Sequence, residues 1–163
     1  PKFIDLVLQI QPDQVTLVPD AEDAITSNAG WDTIKHKDFL VEVISEFKNH
    51  GIRTSIFVDA IEKMVEGAKN TGTDRIELYT EAYAQNFKKN PEIAIAPYKQ
   101  ATLLANDLDI GINAGHDLNL ENTAFFVQNI PNLLEVSIGH ALVSESLYLG
   151  FENVIPMYLQ RLG

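Results

Sequence analysis

Cysteine is absent from the 163 residues, which excludes a disulfide framework and a thiolate metal site. Basic residues are scarce: 12 Lys and Arg face 23 Asp and Glu, for a formal net charge of −11. The chain therefore lacks the basic footprint of a nonspecific nucleic-acid binder. An anionic small molecule is not excluded, because local amides and helix ends hold a phosphate whatever the global charge. No apolar run approaches the roughly 18 residues of a membrane span, and the start has no signal-like pattern. A cytoplasmic protein without a membrane partner is expected. HxH, HExxH and clustered Asp/Glu spacings are missing too, so no metal is expected.

What is present is an ordinary globular composition, 45% hydrophobic and 21% charged, sufficient for one domain over residues 1–163 to bury a core without a staple. Pro1 leads at once into a helical pattern, Phe3, Ile4, Val7 and Leu8. Proline suits the first turn of a helix, and the opening reads as the start of a helix and not of a protein.

Strands are predicted over Gln14–Val18, Arg53–Asp59, Arg75–Thr80, about Asp109–Gly115 and Glu135–Ile138, from short β-branched or apolar runs ended by turn residues. Helices are predicted over residues 1–10, Lys37–His50, Ala60–Asn70, Asn90–Asn106, Leu120–Gln128, Ala141–Leu149 and Phe151–Leu162. Two polar stretches, Ala21–Asp32 and residues 81–90, are left as loops; the first is long enough to suggest function. Five strands each followed by a helix form either an open doubly wound sheet or part of a closed barrel. Alternation places Thr16, Ser55, Glu77, Asn113 and Ser137 on one face, against Val15, Leu17, Ile56, Ile76, Leu78, Ile112, Val136 and Ile138 on the other. A parallel sheet covered on both sides is apolar on both, so the polar face favours a TIM (β/α)8 barrel. Such barrels run to about 250 residues, and five units correspond to strands 4–8, with three βα units upstream.

The chemistry concentrates in two turns. In Asn113-Ala-Gly-His116, an imidazole stands at the carboxyl end of a strand, the end where barrels do chemistry. An imidazole is a side-chain type that can take or give a proton, although a loop histidine bonded to backbone has the same local sequence. In Ser137-Ile-Gly-His140, a glycine precedes a helix whose first amides are unpaired and whose dipole end is positive. Gly139 and His140 are read as an anion-holding corner, the alternative being an ordinary turn with a surface histidine. Glu77, between Ile76 and Leu78, is either an inward carboxylate with a shifted pKa or an ion-pair partner of Arg75, Arg53 or a residue upstream. Thr26 and Ser27 offer hydroxyls to a ligand or to a turn. His36 and His50 are expected on solvated helical positions.

Five stretches together resemble the pyridoxine 5′-phosphate synthase family of vitamin B6 biosynthesis: Gln14–Asp20 with Ile25–Asp32, Ser55–Asp59, Arg75–Thr80 with Tyr83-Ala84, Ile112–Leu118 and Val136–Leu142. They span the chain in the family's order. The resemblance implies an eight-stranded barrel assembled as a homo-octamer and needing no cofactor. It implies condensation of 1-deoxy-D-xylulose 5-phosphate with 3-amino-2-oxopropyl phosphate, releasing inorganic phosphate and water. It further implies that His116 is the general acid, Thr26 binds substrate, and Gly139 with His140 binds phosphate. Asp117 stands where the family often has glycine. A contact from its backbone N–H to phosphate survives that change, but a positive φ costs more than with glycine, and its carboxylate repels a phosphate unless it points away.

The family's remaining base and grip residues fall upstream of Pro1, so residues 1–163 alone are expected not to turn over. Two other readings stand beside this one. One is a different phosphate-handling barrel enzyme, an isomerase or aldolase; an aldolase wants a strand-end lysine, and no predicted strand ends in one. The other is a non-catalytic binding or oligomerisation barrel.

Overall fold

The computed structural model describes residues 2–20 and 24–163; Pro1 and the first three residues of the expected Ala21–Asp32 loop lie outside that description. Along the chain it places α1 (Lys2–Ile10), β1 (Gln14–Leu17), α2 (Lys37–Asn49), β2 (Arg53–Val58), α3 (Glu62–Lys69), β3 (Arg75–Tyr79) and α4 (Glu81–Phe87). Then come α5 (Pro91–Asp107), β4 (Gly111–Gly115), α6 (Thr123–Asn129), β5 (Leu133–Ser137), α7 (His140–Leu149) and α8 (Phe151–Leu162). The five strands form one parallel sheet in the order β1-β2-β3-β4-β5, so the fold is α/β with sequential neighbours throughout.

The expected elements are present, with one addition. Residues 81–90, read as a loop, contain α4. Tyr83 is the cause: it is fully buried, its hydroxyl donates to the Asn122 carbonyl at 2.7 Å, and its ring meets Phe87, Tyr98 and Phe126. Tyr83 and Phe87 are four residues apart, one helical turn, so a single apolar pair draws the segment onto α5 and α6.

The two faces of the sheet divide as the alternation predicts. Val15, Leu17, Ile56, Val58, Ile76, Leu78, Ile112 and Ala114 join the main hydrophobic core, where Leu40, Ile44 and Phe47 of α2, Val65 of α3 and Ile95 of α5 cover them. On the other face the register aligns Thr16 with Ser55, Glu77 with Asn113, and Gly115 with Ser137. An irregularity between Ile112 and Asn113 skips Leu134 and keeps Glu135 and Ser137 on that polar face.

Side chains on the polar face reach across the whole sheet. Gln14 of β1 donates to the Glu135 carboxylate of β5 at 2.9 Å, although these are the two edge strands. In a flat sheet four strand spacings would separate them by roughly 19 Å, beyond the reach of two such side chains. The sheet is therefore strongly curved, polar face inward. Arg75 pairs with Glu135 at 3.0 Å and Arg53 reaches it at 3.5 Å. Arg53 also donates to Gln14 at 2.7 Å, and Asn113 donates to Glu135 at 2.9 Å. Burial alone would raise the Glu135 carboxyl, but Gln14, Arg75 and Arg53 outweigh it and hold it below the usual carboxylate range. No helix among the described residues is long and apolar enough to cross a membrane.

Candidate active site

At the carboxyl edge of the sheet, β4 ends in Gly115 and the chain turns through His116 and Asp117, with φ of 77° and 59°. Two consecutive non-glycine residues in the left-handed region are costly, and a rigid surrounding must hold them there. Thr80 supplies part of it: its N–H and hydroxyl both donate to the Gly115 carbonyl, at 3.1 and 2.9 Å, and the hydroxyl also contacts the His116 carbonyl. On the other side the His116 N–H donates to the Ser137 carbonyl of β5 at 3.4 Å.

The turn delivers the imidazole into a concave site. His116 Nε2 lies 2.8 Å from Thr26 Oγ1, and its Nδ1 lies 3.0 Å from Asp117 Oδ2. Tyr79 meets the ring edge-on at 5.2 Å between centroids, and the His140 ring stands 6.1 Å away. The fold thus brings the two glycine-histidine corners to one rim. Gly139 is the N-cap of α7 and His140 its first residue, and Gly139, His140 and Ala141 line the same space.

Thr26 is held by the loop after β1. Ser27 donates to Asp20 at 2.6 Å, and the Tyr79 hydroxyl stands 3.1 Å from the Ser27 carbonyl and 2.6 Å from a Glu81 carboxylate oxygen. Further along, the Trp31 indole donates to the Leu17 carbonyl at 3.0 Å, and the Trp31 N–H donates to the Phe57 carbonyl at 2.8 Å. Tyr79 was not singled out in the sequence, yet its signal is there: it sits two residues beyond Glu77 and shares its face.

Glu77 is 8% exposed and accepts from the Thr16 hydroxyl at 3.1 Å. The ion-pair alternative is not realised among the described residues, since Arg75 and Arg53 both turn to Glu135. Gly115 makes room for the carboxylate, because a Cβ there would stand 2.3 Å from Glu77 Oε1. Burial pushes the Glu77 carboxyl above its ordinary range against the pull of the Thr16 and Ser137 hydroxyls. A carboxyl raised by folding favours the native state fully below its unfolded pKa and withdraws that support as pH rises through its folded pKa. Glu77→Gln is therefore expected to raise the Tm at neutral pH, with the gain shrinking as the medium is acidified. A series of thermal melts across pH checks this, and a pH-independent offset would contradict it.

Thr26, Glu77, His116, Asp117, Gly139 and His140 all line one cavity of about 820 Å³, within the size of ordinary ligand pockets. His36 and His50 lie elsewhere, at the two ends of α2 and not within it. His36 meets the Trp31 ring at 5.4 Å, and His50 Nδ1 contacts the Glu46 carbonyl at 2.9 Å. No group of three or more His, Asp or Glu among the described residues is placed to hold a metal ion.

A family model described as "Pyridoxal phosphate biosynthesis protein PdxJ" matches residues 1–163. The chain belongs to the PdxJ family. Among similar proteins in this family, the pyridoxine 5′-phosphate synthase of Flavobacterium johnsoniae is 66% identical over 160 residues, covering 98% of this chain and 68% of the relative. The enzymes of that name from Christiangramia forsetii and Cytophaga hutchinsonii are 62% and 60% identical over 161 residues, each covering 99% of this chain and 68% of the relative. The PdxJ relatives are therefore matched along almost all of this chain and about two thirds of their own length.

Proposed function

We propose that this chain is the larger part of a pyridoxine 5′-phosphate synthase, joining 1-deoxy-D-xylulose 5-phosphate to 3-amino-2-oxopropyl phosphate by general acid–base catalysis. The observation that carries the reading is the convergence of His116, Thr26, Glu77 and the Gly139–His140 corner on one cavity, in a chain of the PdxJ family. Ring closure between an amine and a keto sugar needs carbinolamine dehydration, enolisation and loss of phosphate. Every one of these steps moves a proton, and a pocket with an imidazole beside a buried carboxyl suits such transfers.

In this reading His116 is the general acid, with Nε2 toward the reacting carbonyl or leaving oxygen where Thr26 now stands. Thr26 gives its hydroxyl to substrate. The α7 first-turn amides, with Gly139 and His140, take a phosphate of the substrate or the released inorganic phosphate, and the Asp117 N–H adds a donor to it. Glu77, whose carboxyl burial raises above its ordinary range, faces charge that builds on the ring-forming atoms. No metal or cofactor is required. A Schiff-base aldolase fits less well, because β1 to β5 end in Leu17, Val58, Tyr79, Gly115 and Ser137 and none supplies a lysine.

The five strands are taken as strands 4–8 of a (β/α)8 barrel in a single domain, completed by three βα units upstream and assembled as a homo-octamer in the cytoplasm. The Gln14–Glu135 contact supports this, since strands 4 and 8 of such a barrel face each other across its interior. Two proteins test the reading together: residues 1–163 alone, and the same chain extended upstream to the length of its relatives. Pyridoxine 5′-phosphate is expected from the extended protein and not from the shorter one. Equal turnover would refute the division of the site, and no product from either would refute the function.

A further inference from the structure

We propose that the Asp117 side chain is a positioning residue that fixes which nitrogen of His116 exchanges protons. The inference rests on the general-acid reading of His116 and assigns the carboxylate a part separate from any contact made by the Asp117 amide. Its oxygen lies 3.0 Å from Nδ1 while Nε2 faces Thr26 at 2.8 Å. An ionised carboxylate only accepts hydrogen bonds, so Nδ1 must carry a hydrogen. In the neutral ring Nε2 is then bare and accepts; in the charged ring Nε2–H donates. Either way the nitrogen turned to the cavity is the one that changes.

The backbone gives this pairing its rigidity. His116 and Asp117 both occupy the left-handed region, Thr80 fixes the carbonyls of Gly115 and His116, and Asn122 donates to the Asp117 carbonyl at 3.3 Å. Other groups facing the ring are the Tyr79, Phe57 and His140 rings and the Glu77 carboxyl. Among the described residues only Asp117 accepts from Nδ1. The pairing also turns the carboxylate toward the imidazole, which lessens the repulsion a free carboxylate would present to a bound phosphate. Glycine at this position could do none of this, whereas aspartate does it in a backbone conformation that glycine would adopt more easily.

Two substitutions separate positioning from mere structure. Asp117→Gly relieves the left-handed backbone and Asp117→Asn keeps a residue type that tolerates it, so each is expected to fold with an unchanged or higher Tm. In Asp117→Asn the amide NH2 can donate to Nδ1 and drive the hydrogen to Nε2, the wrong tautomer, so kcat is expected to fall roughly 100-fold or more. In Asp117→Gly the ring is merely released, with a loss of roughly tenfold and little change in KM. The 15N spectrum of histidine-labelled extended protein, with His116 assigned through His116→Gln, should show Nδ1–H in the parent, Nε2–H in Asp117→Asn and a mixture in Asp117→Gly.

An unchanged tautomer in both variants would overturn the proposal, as would losses confined to KM. Should the parent form no pyridoxine 5′-phosphate, the functional reading fails by itself, and the tautomer still decides whether Asp117 orients the ring.

Discussion

Replacing His116 with alanine in the upstream-extended protein is expected to lower turnover roughly 100-fold or more, the usual scale for loss of a general acid or base. The imidazole has no understudy in its position. Tyr79, its nearest aromatic neighbour at 5.2 Å, has a hydroxyl committed to Glu81 and the Ser27 carbonyl, and burial beside Glu81 raises that phenol further from neutrality. His140 is the first residue of α7 and, in the proposed function, holds the phosphate. The fold should survive, because the bonds that shape the turn run through the backbone and Thr80. Single-turnover kinetics with both substrates, set beside a direct measurement of substrate binding, checks this. A fall in rate with binding preserved is the expected pattern. Full activity in the alanine variant would refute the assignment of His116 as the general acid.

Gly30→Ala is expected to damage stability more than any other single methyl added near the site. A Cβ at Gly30 would stand 2.4 Å from the Asp59 nitrogen and 2.5 Å from the Val58 Cα and carbonyl carbon. All three are backbone atoms at the end of β2, so no side-chain rotation relieves the clash. The same stretch docks by hydrogen bonds, Gly30 N–H to the Asp59 carboxylate at 3.3 Å and Trp31 N–H to the Phe57 carbonyl at 2.8 Å, and these must lengthen if the loop backs away. A loss of about 2–3 kcal/mol follows from overpacking of this kind, corresponding to a Tm lowered by roughly 4–12 °C for a domain of this size. Because Thr26 sits four residues earlier on the same loop, activity should fall along with stability. Denaturant titration and a thermal melt measure the first effect. A variant with the parent's midpoint would mean that the loop is not seated against β2 as described.

The parts of this protein legible in its sequence are those governed by local rules. β-Branched runs ending in turn residues mark the strands, and a period of two sorts Thr16, Ser55, Glu77, Asn113 and Ser137 from the apolar positions of the same strands. A glycine before a histidine at a strand end is enough to place His116 and His140 on one rim of a parallel sheet. What local rules miss depends on curvature and on the path of a loop. Arg75 lies two residues from Glu77 on one strand, and adjacency in sequence invites an ion pair. Once the sheet bends, Glu135 is the nearer carboxylate for Arg75 and Arg53 alike. The contact between Thr26 and His116 spans ninety residues and follows from the seating of the loop on β2, which no periodicity reports. The helix α4 is hidden for another reason: seven residues with one buried tyrosine give too little repeat to stand out from a polar connection.

The contact between Gln14 and Glu135 carries a consequence for how such a sequence can change. These residues are 121 positions apart, neither lines the cavity that holds His116, and yet their side chains join the two edge strands of the sheet. Drift at one is therefore not independent of drift at the other. A lineage that loses the amide leaves Glu135 to Arg53, Arg75 and Asn113, so a change on the first strand is felt by a carboxylate on the last.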